Sequence, residues 1–341
     1  MKPTLASFFS GIGGFDLGFR RVGFQVSFQC EIDSFCLSVL ERHWPNVIRF
    51  KDIKEVRAAN VPPSDVWAGG FPCQDVSVAR MGPRAGLKGK RSGLFFEFAR
   101  LLGECRPRVF IIENVPGLLS SHGGRDFEII LRTLAGLGYG VGWRVLNSRY
   151  FGVPQSRQRV YIVGCDRDPR GPGQILFESE CGSRDIAKSG QDGARPVSPF
   201  KESFGDPVKG PVVAGLAYCL YACSARHTGT DWSRNYVSYP QGKVRRLVPV
   251  ECERLQGFPE DWTLVDGTAK YSKDCDEPRY HAVGNAVTVN VAEWLANRIR
   301  NYLQLKLSGK RDHQEFLATP PQAFGDRPDL GVDQRLGEVS A

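Results

Sequence analysis

The sequence predicts an α/β fold, in which a mostly parallel sheet is covered by helices and a smaller domain is inserted near its end. Short apolar runs alternate with amphipathic helical runs between residues 5 and 165. Between residues 169 and 242 the chain is instead rich in Gly, Pro and Ser, with only short and weakly periodic strand patterns. Alternation of the first kind is typical of parallel sheets with helices on both faces, and the change in texture marks the insertion.

The first half supplies seven strand candidates, each a short apolar run bounded by polar or turn residues: Leu5–Phe9, Val26–Cys30, Val47–Phe50, Asp65–Ala68, Val109–Ile112, Val141–Val145 and Val160–Val163. Helical periodicity lies between them. It predicts a helix that begins at Phe15, followed by Ser34–Trp44, Gly93–Cys105 and Phe127–Leu137. Pro45 follows the second of these helices, where a proline stops a helix.

The second half is organised differently. The cluster Asp168–Gly173 predicts a turn, Val248–Leu255 predicts a helix with proline near its start, and Ala286–Leu305 predicts a long closing helix. Residues 308–341 are polar, and we expect this tail to be disordered. The predicted domains are therefore 1–178 plus 284–305 for the sheet domain, 179–283 for the inserted domain with its hinge, and 306–341 for the tail.

Composition narrows the function classes. The 341 residues carry a net charge of +8, and residues 80–108 hold eight Arg or Lys against two acids, which suits a polyanionic partner. The ten cysteines show no disulfide spacing, and the start of the chain passes directly into a strand pattern, so we expect reduced thiols and a cytoplasmic protein. Cys219, Cys223 and His227 lie four residues apart, but only Cys181 offers itself as a fourth ligand, and we assign no metal site. No apolar run reaches membrane-spanning length.

Four blocks carry the most specific signal: Gly69–Ser77 with its Pro72-Cys73 pair, Glu113-Asn114-Val115, Gln155–Arg159, and Gly284–Val287. In this order they resemble the DNA cytosine-5 methyltransferases of bacteria and phages. The resemblance extends from about Leu5 to about Tyr302 and is weakest between residues 169 and 242. It implies the Rossmann-like fold of S-adenosylmethionine-dependent methyltransferases, with a small target-recognition domain inserted.

The glycine-rich turn Phe9–Gly14 follows the first strand, Glu31 closes the second, and Asp52 follows the third. Ligands of open α/β sheets bind beyond the carboxyl ends of the strands, so these positions should converge. The glycines depart from the dinucleotide-binding spacing. The resemblance implies S-adenosylmethionine here, with S-adenosylhomocysteine as product, Phe9 on the adenine, Glu31 on the ribose and Asp52 on the adenine amine. The full implied pocket is Phe9, Ser10, Gly11, Ile12, Gly13, Gly14, Glu31, Ile32, Asp52, Ile53, Gly70, Pro72, Leu94, Asn285, Ala286 and Val287. Ile32 stands where the family often has an aromatic residue.

The resemblance makes Cys73 the nucleophile. A thiolate that adds to C6 of cytosine makes C5 carbanion-like and able to accept a methyl group, and a carboxyl at N3 would offset the developing charge. Glu113, at the end of a neighbouring predicted strand, is the carboxyl. Arg157 and Arg159 alternate along an extended segment and should share one face. One would contact O2 of the cytosine while the other braces Glu113 or a phosphate, and we favour Arg157 on the base and Arg159 as the brace.

A base inside a duplex must be flipped out before this chemistry. Residues 76–91 form the basic loop that would close over double-stranded DNA. Because the position aligned with the family's usual small polar plug is Ala79, the space of the flipped base would be filled by Arg80, Met81 or the small domain. The expected DNA contacts are Arg80, Met81, Arg84, Lys88, Arg226, Arg234, Asn235 and Gln241. We expect a monomer at the nucleoid, with a separate cognate restriction endonuclease as possible partner of a restriction–modification system.

Three alternatives stay open. A tRNA cytosine-5 methyltransferase of the same fold would carry a Cys-Phe-Thr insertion, which this sequence lacks. A nicotinamide-dependent oxidoreductase would need the dinucleotide glycine spacing. A non-catalytic DNA-binding relative would not be expected to keep Cys73, Glu113 and both arginines.

Overall fold

A seven-stranded sheet forms the centre of the protein. The computed structural model describes residues 2–72, 93–178, 203–204, 212–214, 217–220, 236–238, 244–265 and 273–308. Its strands are β1 (Thr4–Phe8), β2 (Gln25–Cys30), β3 (Ile48–Phe50), β4 (Val66–Gly69), β5 (Val109–Asn114), β6 (Tyr139–Asn147), β7 (Gln155–Ser156), β8 (Gln158–Asp166), β9 (Ser203–Phe204), β10 (Val212–Ala214), β11 (Ala217–Tyr218), β12 (Tyr236–Ser238) and β13 (Val244–Arg246). Its helices are α1 (Gly14–Arg21), α2 (Ser34–His43), α3 (Leu94–Cys105), α4 (Arg125–Gly136), α5 (Gly171–Leu176), α6 (Pro249–Leu255), α7 (Lys273–Asn285) and α8 (Val289–Leu307).

The strand order in the main sheet is β3-β2-β1-β4-β5-β8-β6. β1 pairs in parallel with β2 and β4, β2 with β3, and β4 with β5, whereas β8 runs antiparallel between β5 and β6. The predicted mostly parallel sheet is therefore confirmed, and all seven predicted strand regions belong to it. Because β5 and β6 point the same way, the carboxyl ends of β1 to β6 lie along one edge.

The sheet separates two apolar cores, and β5 shows how. Val109 and Ile111 pack into one core, while Phe110 and Ile112 pack into the other. Alternate residues of a strand point to opposite faces, so a strand that is buried on both faces reads as a continuous apolar run. This explains why the central strands could be found from local sequence.

Two elements differ from the prediction. The predicted turn at Asp168–Gly173 contains the start of α5, because the Asp168 carboxylate accepts hydrogen bonds from the backbone N–H groups of Arg170 (3.0 Å) and Gly171 (3.1 Å) and Pro172 is tolerated in the first helical turn. The closing helix begins at Val289 rather than Ala286. Backbone groups at this break bond to distant partners: the Ala286 carbonyl accepts from Arg157, and the Val289 N–H donates to the Gln256 carbonyl.

The inserted part includes the antiparallel sheet β13-β12-β10-β9 and a two-stranded parallel pair, β11-β7. The domain division itself stays a prediction, but the main core already contains Cys252, Phe258 and Trp262, well before residue 284. α6 and the residues that follow it thus pack with the sheet domain. Within the described parts of the chain, no helix is long and apolar enough to cross a membrane.

Candidate active site and cofactor pocket

A strained turn connects β1 to α1 at the carboxyl edge of the sheet. Phe9, Gly11 and Gly13 have φ angles of 53°, 54° and 83°, in the left-handed region. Glycine is required at position 13 for two reasons: its φ angle is positive, and a Cβ atom there would lie 2.6 Å from the Trp44 ring. The Ser10 N–H donates to the Cys30 carbonyl (3.1 Å), which ties the turn to the end of β2. The turn therefore presents its backbone to the space beyond the strands, as predicted.

Glu31 binds this turn directly. Its Oε2 accepts the Gly11 N–H at 2.7 Å, and its Oε1 accepts the Asp33 N–H at 2.9 Å. Burial raises the pKa of Glu31, although these hydrogen bonds act in the opposite direction. Since a carboxylate offers about four lone-pair positions, Glu31 keeps acceptor capacity for a ligand.

The ends of β2 and β3 meet at the same place. The Glu31 N–H donates to the Phe50 carbonyl at 3.0 Å, which brings Asp52, two residues further on, to this edge. Asp52 Oδ1 accepts the Lys54 N–H at 3.0 Å, and Ile53 is buried beside it. Ile32, directly after Glu31, is 70% exposed. The predicted convergence of the turn, Glu31 and Asp52 is thus seen, with an apolar side chain left open next to the acid.

Glu113 and Arg159 form an ion pair at the end of the next strands. Arg159 Nε lies 3.0 Å from Glu113 Oε1, and the side chains are 15% and 11% exposed. Burial lowers the pKa of Arg159, but the Glu113 carboxylate acting together with Cys219 and Tyr161 outweighs it, and the pKa is raised above the ordinary arginine value. The pair therefore holds a carboxylate and a guanidinium group in contact in a largely dry place.

The segment that leads to Cys73 is fastened against this pair. A Cβ atom on Gly70 would lie 3.2 Å from both the Oε2 and the carbonyl oxygen of Glu113, so a larger residue would displace Glu113 by a few tenths of an ångström. The Asn114 Nδ2 donates to the Phe71 carbonyl at 3.2 Å. Of the pair Glu113-Asn114, the first side chain thus binds Arg159 and the second binds the backbone that precedes Cys73.

Comparison with known proteins agrees with this geometry. The family model described as C-5 cytosine-specific DNA methylase matches residues 4–191 and 187–301. The chain belongs to this family. It is a DNA (cytosine-5) methyltransferase.

Relatives from several bacteria support the assignment. The chain is 33% identical over 305 residues to the Type II methyltransferase M2.BsuMI of Bacillus subtilis, covering 86% of this chain and 75% of that protein. It is 35% identical over 301 residues to M.NgoBI of Neisseria gonorrhoeae, covering 84% and 89%. Among solved structures, the Dnmt2 methyltransferase of S. pombe matches with a TM-score of 0.62 at 18% identity, over 91% of this chain and all of that one, which shows a shared fold.

In this methylase the two arginines have different surroundings. Both guanidinium groups contact the Sγ of Cys219, Arg157 at 3.5 Å and Arg159 at 3.9 Å, so they share one face as predicted. Arg157, however, is 3% exposed and donates to the carbonyls of Leu220 (3.2 Å), Gly284 (3.1 Å) and Ala286 (2.9 Å). Burial, and then the neighbouring Arg159, lower its pKa.

This arrangement speaks against our preference for Arg157 as the residue on the base. The two terminal nitrogens of Arg157 are occupied by backbone oxygens, because the fold brings Leu220 and the segment Gly284–Val287, here called the closing block, against the guanidinium group. The expectation that Arg159 braces Glu113 agrees with the 3.0 Å ion pair.

The closing block lies between the glycine turn and α6. A Cβ atom on Gly14 would be 2.6 Å from the Val287 carbonyl oxygen, so Val287 packs on the turn. Ala286 is buried and Asn285, at the end of α7, is exposed. Leu94, at the start of α3, and Pro72 are half-buried on the opposite side. Sequence reasoning missed Gln256, whose buried amide binds the Val283 carbonyl (3.1 Å) and the Thr288 hydroxyl (2.7 Å) and so holds α6 to this block.

Several predicted residues lie outside the described residues. They are the nucleophile Cys73, the position Ala79, the candidate metal ligands Cys181, Cys223 and His227, and the DNA-contact candidates Arg80, Met81, Arg84, Lys88, Arg226, Arg234, Asn235 and Gln241. Cys219 is described and contacts arginines. Among the described residues, no group of three or more His, Cys, Asp or Glu side chains could hold a metal.

Proposed function

We propose that this methylase transfers a methyl group from S-adenosylmethionine to C5 of a flipped-out cytosine in a specific double-stranded DNA sequence, through a covalent bond between Cys73 and C6. The observation that carries the proposal is the Glu113–Arg159 ion pair at 3.0 Å, against which Gly70 and Phe71 hold the segment leading to Cys73. Acid and brace thereby meet at one edge of the sheet, beside the backbone of Gly70 and Phe71 that leads to Cys73. The turn and Glu31 lie at that same edge.

The pocket residues fit the cofactor. Glu31 has unused acceptor positions for ribose hydroxyls, and Ile32 offers exposed apolar surface for an adenine face. In the glycine turn, Phe9, Ser10 and Gly11 are only partly buried. When bound, the cofactor supplies an electrophilic methyl group on a sulfonium. Because Ile32 is aliphatic rather than aromatic, it gives the adenine a smaller contact area.

The chain's own groups then prepare the base. The Cys73 thiolate adds to C6 while the Glu113 carboxyl, protonated in the complex with the base, gives its proton to N3. The electron pair then reaches C5 without building up charge on the ring, and the carboxylate left behind pairs with Arg159. Arg159 orients the carboxylate, and as the arginine beside Glu113 it is also placed to donate to O2. After methylation, a water molecule takes the C5 proton, the thiolate leaves C6, and the N3 proton returns to the Glu113 carboxylate, which restores the aromatic ring and the free enzyme.

The test uses DNA in which the target cytosine is replaced by 5-fluorocytosine. Because the fluorine cannot leave as a cation, the wild-type enzyme should be trapped as a covalent protein–DNA adduct in the presence of S-adenosylmethionine, seen by denaturing electrophoresis and mass spectrometry. Cys73→Ala should form no adduct but bind the cofactor normally. Cys105→Ala, a half-buried cysteine at the end of α3, is the matched control and should form it. An adduct with Cys73→Ala would overturn the mechanism.

A methyl-transfer assay distinguishes DNA from RNA as the substrate. Radiolabelled S-adenosylmethionine offered with duplex DNA or tRNA should label the DNA, and labelling of tRNA alone would support the RNA alternative. We further propose that residues 179–243 select the DNA sequence, and that the protein acts at DNA in a prokaryotic or phage-infected cytoplasm beside a separate restriction endonuclease. Exchanging this segment with that of a relative should transfer the relative's target sequence.

A further inference from the structure

Trp262 reaches the cofactor turn from a distant part of the chain. It follows α6, yet its indole Nε1–H donates to the Ile12 carbonyl at 2.8 Å, and the side chain is 3% exposed. The two residues are 250 positions apart in sequence. The other hydrogen bonds that the described residues make to Phe9–Gly13 come from residues no further along the chain than Glu31 or from α1 itself. Trp262 is therefore the long-range anchor of the turn.

The turn needs such an anchor. Phe9 is not a glycine and still adopts a φ of 53°, and Gly11 and Gly13 share the left-handed region within five residues. Left-handed backbone is unfavourable for a non-glycine residue and persists where its surroundings fix it. A carbonyl held at Ile12, between Gly11 and Gly13, fixes the peptide orientation at the centre of the turn.

The indole is itself held in a single orientation. The His43 ring stacks on it at 3.5 Å with an interplanar angle of 5°, and His43 Nε2 donates to the Trp262 carbonyl at 2.8 Å. Trp44 meets the indole edge-on at 5.7 Å, and Phe258 packs at 5.6 Å. The donor is thus already aimed at Ile12, and little rotamer entropy is lost when the bond forms.

We propose that Trp262 is a positioning residue for cofactor binding: its indole N–H keeps the glycine turn in its binding conformation before S-adenosylmethionine arrives. The proposal rests on the proposed function, since it names a residue that prepares the same pocket. Trp262 is also attached to the part of the chain that leads out of the inserted sheet. There Arg245, in β13, binds the Glu251 carboxylate of α6 at 2.8 Å through both terminal nitrogens. The cofactor turn and this strand are consequently joined through α6.

The test compares Trp262→Phe with Trp44→Phe. Both changes replace a buried tryptophan of the same cluster by a smaller ring. The Trp44 Nε1–H has no hydrogen-bond partner among the described residues. Trp44→Phe is therefore the control, because it removes ring volume without removing a hydrogen bond to the turn. A neutral hydrogen bond is worth about 0.5–1.5 kcal/mol. By isothermal titration calorimetry the dissociation constant for S-adenosylmethionine should rise roughly threefold to tenfold in Trp262→Phe and less than twofold in Trp44→Phe.

Steady-state kinetics distinguish positioning from general damage. In Trp262→Phe the KM for S-adenosylmethionine should rise with its dissociation constant, while kcat at saturating cofactor stays within about twofold, because Glu113 and Arg159 are untouched. Equal weakening in both variants would assign the effect to packing and overturn the proposal, as would a fall in kcat without a change in KM. Failure of the wild-type protein to bind S-adenosylmethionine would instead overturn the proposed function.

A measurement on the wild-type enzyme tests the proposal even if Trp262→Phe does not fold. In nuclear magnetic resonance spectra of the ¹⁵N-labelled wild-type enzyme without cofactor, the indole N–H of Trp262 should exchange with solvent far more slowly than that of an exposed tryptophan such as Trp143, which is half exposed. Exchange of Trp262 at the rate of Trp143 would show that the bond to Ile12 is absent before binding, and would overturn the proposal.

Discussion

Replacing each of the two neighbouring arginines by lysine should give opposite phenotypes. Arg157→Lys should destabilise the fold, and Arg159→Lys should slow the chemistry. The reason is that Arg157 donates to three backbone carbonyls in the interior, whereas Arg159 pairs with the Glu113 carboxylate. Lysine keeps the charge in both cases but loses the planar fork that allows several donors to be aimed at once.

The magnitude for Arg157 follows from its partners. A single ammonium nitrogen cannot replace Nη1, which serves Leu220 and Gly284, and Nη2, which serves Ala286. At least one of these buried carbonyls loses its donor, and an unsatisfied buried acceptor costs about 1–3 kcal/mol. We expect Arg157→Lys to lower the free energy of unfolding by about 2–4 kcal/mol, a large share of the roughly 5–15 kcal/mol that stabilises a protein domain.

For Arg159 the ammonium can stay close to Glu113, so we expect less than about 1 kcal/mol of destabilisation. The catalytic constant should fall about 10²-fold, because the carboxylate and the base lose a donor of fixed direction. Urea unfolding followed by tryptophan fluorescence measures the first quantity, and methyl transfer at saturating DNA and cofactor measures the second. If Arg157→Lys unfolds at the wild-type urea concentration, or if it is the variant that loses turnover while Arg159→Lys unfolds early, the roles assigned from the structure are wrong.

Three further outcomes are expected. Glu113→Gln should lower kcat by about 10²–10⁴, the value of one acid–base group, and a change confined to KM would contradict its role as the acid. Gly70→Ala should also lower kcat, because its Cβ would lie 3.2 Å from Glu113 Oε2, whereas Gly173→Ala, which meets no atom within 4 Å, should match wild type; equal activities would show that the close approach is dispensable. Burial raises the pKa of Asp16 from 3.8 to about 6, so the folded protein binds more protons than the unfolded chain between these values, and stability should fall by about 3 kcal/mol as pH rises through this window. Urea unfolding at pH 4 and pH 7 should show a smaller difference for Asp16→Asn than for wild type, and an identical difference would mean that Asp16 does not titrate as its burial implies.

The central strands, and the edge of the sheet at which Glu31, Asp52 and Glu113 lie, could be predicted from the sequence by itself. β4 and β5 are buried on both faces, so their apolar runs can be recognised as strands without knowledge of the fold. The positions of Glu31, Asp52 and Glu113 followed from one rule, that the ends of parallel strands share an edge. Cys73 and Glu113 were recognisable because their motifs occur in a fixed order. Cys73 lies outside the described residues, and its role stays a prediction.

Tertiary contacts decided the rest. Arg157 and Arg159 are separated by one residue and have the same side chain, yet one faces Glu113 and the other meets carbonyls from residues 220, 284 and 286. The break between α7 and α8 has the same origin, since Arg157 and Gln256 bind backbone groups that a continuous helix would bond internally. Local sequence determines which segments are strands and which side chains carry chemistry. Which of two equal side chains pairs with Glu113 depends on partners more than forty residues away, and local sequence does not specify those partners.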